Sequence, residues 1–155
     1  MMLPYLDSSA WVKRYFEESG SDWVDSLFEE DRLLSGSTLG LIEVQATAAR
    51  RRPAGAMDAA AFAETKRWLL DEWGGFLWVG LAPEVVERSL AVASAFALRG
   101  SDSMHLASAL QLADDLGIAV NEIAFVTSDL ELQAAAIQAG LAVLNPQEQG
   151  RSPAH

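Results

Sequence analysis

The 155-residue sequence has no cysteine and two histidines, His105 and His155. The first absence excludes a disulfide scaffold, a thiolate metal site and a cysteine nucleophile, and it fits a reducing, cytoplasmic compartment. The second rules out a histidine-rich metal centre and makes any Ser-His-Asp mechanism depend on His105. Basic residues are scarce, with 11 Lys and Arg against 22 Asp and Glu and a formal net charge of -11. That balance argues against a protein that coats nucleic acid by bulk charge, and equally against one that rests on an acidic membrane. No apolar run approaches a membrane span, and residues 1–7 are too short and too soon interrupted by charge to act as a signal peptide. What is present is hydrophobic at 50% of positions, enough for one domain with a core and little more. Any metal must find oxygen ligands.

Short apolar runs alternate with longer amphipathic stretches, the pattern of an α/β fold in which helices cover a parallel sheet. Strands are expected at residues 2–6, 32–35, 76–79, 123–126 and 141–144. Asp7 or Ser8 caps a helix reaching about Glu18, and a second helix runs from Ser21 to about Glu30. Ser37 or Thr38 caps a third, which Pro53 stops near Arg52, and Ala54-Gly55 forms a turn. Asp58 opens a helix that buries Phe62, Leu69 and Trp73 and ends at Gly74-Gly75. Pro83 starts a helix ending at Gly100, and the segment from Asp102 to Leu116 is apolar around most of its circumference. Ser128-Asp129-Leu130-Glu131 reads as a capping box for a last helix closed by Gly140. Residues 1–146 form the domain, with 147–155 as a disordered tail.

In an open parallel sheet, ligands bind beyond the carboxyl ends of the strands. Asp7 and Asp129 fall there. Asp102 begins a helix that follows another with hardly any linker, and Glu43 interrupts the apolar run Leu41, Ile42, Val44. Taken singly, each Asp reads as a helix cap and Glu43 as a solvated edge residue. Taken together, carboxylates gathered at one end of a sheet repel one another unless a cation lies between them. Carboxylate and water oxygens suit Mg2+ or Mn2+. Lys13 and Arg14 follow Asp7 on one helix and Arg50 follows Glu43 on another, with Arg51, Arg52 and Arg99 close in sequence to these elements. These bases either ring the acids or, for 50–52, complement a helix C-terminus. Residues 17–31 hold seven acids and no base.

Four stretches carry a family pattern. They are Tyr5-Leu6-Asp7-Ser8-Ser9-Ala10 followed by Val12-Lys13; Glu43 within Thr38-Leu39-Gly40-Leu41-Ile42-Glu43-Val44, with Arg50 downstream; Asp102-Ser103-Met104-His105-Leu106-Ala107-Ser108-Ala109; and Phe125-Val126-Thr127-Ser128-Asp129, followed by Ala135, Ala136, Gly140-Leu141 and Asn145-Pro146. In this order and spacing the chain resembles the PIN-domain ribonucleases, most closely the VapC-like toxins of toxin-antitoxin pairs. The resemblance implies a three-layer α/β/α sandwich with a mainly parallel sheet of four to five strands. It implies a catalytic, metal-holding quartet of Asp7, Glu43, Asp102 and Asp129, with His105, Thr127 and Ser128 behind it. Mg2+, with Mn2+ as a substitute, would assist hydrolysis of RNA phosphodiester bonds, and Lys13, Arg14, Arg50 and Arg99 would hold flanking phosphates. A cognate antitoxin and a homodimer are the implied partners, with Trp11, Trp23 and Phe28 as part of a groove for a partner helix. Gly100-Ser101 departs from the family pattern, which bears on local loop geometry and substrate choice.

Two other classes remain open at this stage. A phosphatase of similar layering wants a second Asp two residues after the first, where Ser9 stands, and a phosphotransfer receiver wants a Lys after a late strand, which Thr127-Ser128-Asp129 lacks. A catalytically silent, protein-binding version of the same fold is favoured by loss of an acid, and all four acids are present.

Overall fold

Tyr5 and Leu6 are successive residues of one strand, so their side chains leave the sheet on opposite faces, and each enters a different core. The computed structural model describes residues 2–52 and 58–149. Its elements run β1 (Leu3–Leu6), α1 (Ser8–Trp11), α2 (Ser21–Glu29), β2 (Ser35–Ser37), α3 (Thr38–Arg51), α4 (Ala59–Trp73), β3 (Leu77–Val79), α5 (Pro83–Phe96), α6 (Gly100–Leu116), β4 (Ile123–Val126), α7 (Leu130–Gln138) and β5 (Ala142–Leu144). The five strands pair in parallel in the order β3-β2-β1-β4-β5. On one face Tyr5, Ile123 and Phe125 pack beneath Val85 and Val92 of α5, Leu106 of α6 and Leu132 of α7. On the other, Leu6 and Val126 meet Trp11, Leu27, Val44 and Leu69, one from each of α1 to α4. The result is the expected three-layer sandwich, with β1 and β4 at its centre.

Several expected boundaries shift for identifiable reasons. β2 lies at Ser35–Ser37, not 32–35, and all three of its residues are buried. A strand built from Ser-Gly-Ser carries no apolar run to read. It is held by the sheet and by Ser35 Oγ, which donates to the Pro4 carbonyl at 2.7 Å. The first helix stops after one turn and tightens into a 3-10 turn at Val12–Arg14 rather than continuing to Glu18. This winding turns Lys13 into the interior, where its side chain is 4% exposed and bonded to Glu18 at 3.1 Å. Of the stripe expected on α4, Leu69 is fully buried, while Phe62 and Trp73 are partly covered. α5 ends at Phe96, because Ala97 adopts a left-handed conformation with φ 53°, and Gly100 begins α6 rather than closing α5.

The capping box expected at Ser128 does not form, and the cap lies one residue later. Asp129 is the N-cap of α7, accepting from the Glu131 and Leu132 amides at 2.9 and 3.1 Å. Beyond β5 the chain forms a turn through residue 149, with Asn145 Oδ1 accepting from the Gln147 amide at 2.9 Å. Pro146 comes so close to Gly20 that a Cβ there would lie 2.8 Å from the proline backbone, and Gly20 has φ +93°. Glycine is required at this contact on both counts. The expected turn at Ala54-Gly55, its preceding Pro53 and the last six residues of the expected tail lie outside the described residues. No helix among the described residues is long and apolar enough to cross a membrane.

Candidate active site

In the order β3-β2-β1-β4-β5 the chain leaves β1 toward one edge and returns at β4 to fill the other, so the β1/β4 boundary is the topological switch point. That is where an open parallel sheet presents its crevice. Asp7 follows the last residue of β1, and its amide donates to the Val126 carbonyl at 3.1 Å, extending the sheet by one bond. Thr127, Ser128 and Asp129 follow β4 directly. The backbone thereby brings two of the four predicted acids to one point.

Asp7 is 3% exposed and caps α1. Its Oδ1 accepts from the Ser9 hydroxyl at 2.7 Å and the Ala10 amide at 3.0 Å, and its Oδ2 accepts from the Thr127 hydroxyl at 2.6 Å. Thr127 Oγ1 in turn accepts from the Asp129 amide at 3.0 Å, so one buried hydroxyl joins the two acids. The Ser128 amide donates to Ser9 Oγ at 3.0 Å, closing the loop around Asp7. Ser128 Oγ is itself the one buried side-chain polar atom without a hydrogen-bond partner among the described residues.

Despite its three donors, the Asp7 carboxyl is pushed above the usual carboxylate range, because burial outweighs the favourable His105, Thr127 and Ser9 contributions. Asp102, half-buried in the first turn of α6, is raised by burial and then by the charges of Asp129 and Asp7, against which His105 and Arg99 pull the other way. Electrostatically the three aspartates form one group. Glu43 joins them from α3 through His105, whose Nε2 lies 2.6 Å from Glu43 Oε1. His105 is 2% exposed, and its Nδ1 is 2.9 Å from the Tyr5 hydroxyl. Among the described residues, no group of three or more Asp, Glu or His side chains is close enough together to hold a metal ion as it stands.

A pH dependence follows from these directions. A carboxyl whose folded value is raised stabilises the fold below its unfolded value, here 3.8 for both Asp7 and Asp102, and that contribution is lost as pH climbs through the raised folded values. Glu18 has the opposite sign: although burial raises it, Arg51 and Lys13 hold it low, so its contribution is lost only on stronger acidification. The metal-free protein is therefore expected to lose melting temperature as pH climbs from 3.8 through the raised values of Asp7 and Asp102. Thermal denaturation in chelator checks this, and a flat or inverted profile between those values would contradict it.

The predicted basic residues divide. Arg99, the residue before α6, and Arg50, near the end of α3, are exposed. Lys13 and Arg14 do not carry over as phosphate-binding residues. Lys13 is buried on Glu18, and Arg14, 14% exposed, is engaged by Glu72, Asp25 and Glu29. Arg51 bonds Glu18 at 3.0 Å and lies 4.2 Å from the Phe16 ring centroid. Trp11 likewise leaves the expected partner groove, since it is fully buried and stacked on Phe76 and Trp73.

Tyr5 and Gly40 escaped the sequence reading. A Cβ on Gly40 would come within 3.3 Å of both His105 Cε1 and the Trp11 ring, so glycine lets α3 approach this closely. Spacing alone shows only which residues share a helix face. Gly40 and Glu43 lie three apart on one helix and Asp102 and His105 three apart on another, each pair sharing a face.

A family model described as PIN domain matches residues 5–138. Two curated proteins of Mycobacterium tuberculosis strains, Ribonuclease VapC45 and Ribonuclease VapC49, are each 34% identical over 114 residues, covering 74% of this chain and 79% of theirs. Among solved structures, FitAcB from Neisseria gonorrhoeae superposes with a TM-score of 0.65 at 17% identity, covering 94% of this chain and 99% of that one. A toxin-antitoxin complex from Klebsiella pneumoniae gives 0.60 at 13% identity, covering 92% and 97%.

Proposed function

The chain belongs to the PIN-domain family, as a VapC-like member, and from that premise we propose that it is a divalent-metal-dependent endoribonuclease acting as the toxin of a toxin-antitoxin pair. The observation that carries this reading is the meeting of carboxylates at the sheet's switch point: Asp7 and Asp129 are joined through Thr127, and Asp102 is pushed up first by burial and then by the charges of Asp129 and Asp7. Such a charge cluster is stabilised by a cation and destabilised without one.

The donor set fits a hard ion of the Mg2+ or Mn2+ kind, being carboxylate oxygens beside the unpartnered Ser128 hydroxyl. Mg2+ takes one or two direct carboxylates and keeps several waters. When bound, the ion supplies an activated water and stabilises charge on the phosphoryl oxygens. Asp7 and Asp129 are the first choices for direct contact, with Asp102 next and Glu43 direct or through water. Asp7 is held rigid by Ser9, Ala10 and Thr127. Two backbone amides fix Asp129 through Oδ1, leaving Oδ2 to face the site. Thr127 and Ser128 orient these acids, and Arg99 and Arg50 hold phosphates flanking the scissile bond without reading sequence. The toxin-antitoxin structures among the neighbours support a cognate antitoxin as partner, and a homodimer belongs to the same reading.

Incubating the purified chain with single-stranded RNA, in Mn2+ or Mg2+ and again in excess chelator, tests the assignment. Cleavage that requires the ion and returns when it is restored is the expected result. No cleavage under any divalent condition, or cleavage indifferent to chelator, overturns it.

A further inference from the structure

The imidazole of His105 is fixed on three sides. The Tyr5 hydroxyl meets Nδ1 at 2.9 Å, Glu43 Oε1 meets Nε2 at 2.6 Å, and Gly40 leaves room for Cε1 and no more. Tyr5 cannot drift, because it is fully buried, stacked on Phe125 with centroids 5.3 Å apart, and anchored in β1 between β2 and β4.

Where the phenol donates to Nδ1, that nitrogen accepts, and the proton of a neutral ring then sits on Nε2. There it can donate to the Glu43 carboxylate, which only accepts. We propose that Tyr5 is a positioning residue: its O–H selects the His105 tautomer that donates to Glu43 and so presents that carboxylate to the site in one orientation, Oε1 held and Oε2 turned free. Without the phenol, the imidazole has two tautomers to choose from, and one of them sets two acceptors, Nε2 and Oε1, against each other. Glu43 would then swing away on its three side-chain torsions. Outer partners that fix a ligand's orientation in this way typically alter metal affinity by about 10- to 100-fold. The proposal rests on the metal-site reading above and adds a residue that does not itself touch metal or RNA.

Tyr5→Phe keeps the ring and its stacking while removing the O–H. With two histidines in the chain, long-range 1H–15N correlation spectra resolve the His105 tautomer directly. The parent is expected to show His105 protonated on Nε2 alone. Tyr5→Phe is expected to show exchanging tautomers and Mn2+ affinity reduced about tenfold. In a His105→Gln background, where the amide donates to Glu43 unaided, adding Tyr5→Phe is expected to change Mn2+ affinity no further. A parent spectrum showing the Nδ1–H tautomer or an imidazolium overturns the proposal, as does an unaltered tautomer and affinity in Tyr5→Phe. Asp7→Asn separates the two readings, since it is expected to abolish Mn2+ binding and leave the His105 tautomer as it was. If the parent binds no Mn2+, the ribonuclease reading fails, while the spectra still decide the role of Tyr5.

Discussion

Asp7→Asn is expected to melt at a higher temperature than the parent in the absence of metal, and at the same time to lose RNA cleavage by about a thousandfold or more. The two effects share one cause. Asp7 is 3% exposed, and burial pushes its carboxyl up, so its charge is disfavoured until a cation arrives. The amide is nearly isosteric and can use the same contacts. Its oxygen accepts from Ser9 and the Ala10 amide as Asp7 Oδ1 does, while its NH2 donates to Thr127 Oγ1, which reorients its own proton toward Ser9 Oγ, 3.4 Å away. Fold and hydrogen bonding are thus kept, and the charge that costs stability is removed. What is lost is a carboxylate for a divalent ion, whose transition-state stabilisation is worth several kcal/mol, with each ~1.4 kcal/mol a factor of ten in rate. Asp7→Ala is the less informative change, because it leaves the Ala10 amide and two hydroxyls unpaired and destabilises for that reason alone. Thermal melts in chelator and RNA cleavage in Mn2+ check both halves. Parental cleavage by Asp7→Asn removes Asp7 from the site, and a lowered melting temperature shows that its charge is not strained in the fold.

The acids were legible before the fold was known because their signal is local. Asp7 and Asp129 each close a strand and open a helix, and the structure finds each one capping its helix. β4 was legible at Ile123–Val126 because both its faces are buried, leaving an uninterrupted apolar run. β2 was not, because Ser35, Gly36 and Ser37 are buried by their neighbours and not by their own character; a Cβ on Gly36 would lie 3.5 Å from both the Phe76 ring and the Leu6 carbonyl. Charged residues misled for a related reason. Lys13 and Arg14 were assigned to RNA because charge is read as surface, yet both turn inward, and the carboxylates that receive Arg14 lie 11 and 58 residues away. Long-range pairing of this kind leaves no mark in local spacing. The partners of His105, 62 and 100 residues distant, were invisible on the same ground.

Glu72→Ala is expected to destabilise the protein by about 2–4 kcal/mol, a large share of the ~5–15 kcal/mol that holds a typical domain together. Arg14 donates to Glu72 through both Nε and Nη2 and to Asp25 through Nη1 at 3.0 Å. Its guanidinium lies 4.7 Å from the Phe28 centroid and 5.0 Å from that of Trp68. Tyr15 adds its hydroxyl to Glu72 Oε1 at 2.9 Å and accepts from Trp11 Nε1 at 3.3 Å. Glu72 is therefore the acceptor on which α4 is tied to the segment after α1, and through Arg14 and Asp25 to α2. Truncating it leaves Nε and Nη2 of a guanidinium 14% exposed, whose Nη1 still pairs with Asp25, and a phenol 9% exposed without their acceptor, and unpaired buried donors are costly. For a chain of this size the loss corresponds to a fall in melting temperature on the order of 10 °C. Because part of the penalty lies in Arg14 donors left unpaired rather than in the pair's absence, Arg14→Leu combined with Glu72→Leu is expected to recover that part, while the Tyr15 hydroxyl and Asp25 stay without their partners. Calorimetric or denaturant melts of the single and double variants test that ordering; equal losses in both would mean the pair itself carries the stability. The double variant also decides what Arg14 is for. If its charge is structural, RNA cleavage below the melting transition stays near that of the parent without it, whereas a drop with the fold intact would return Arg14 to the substrate.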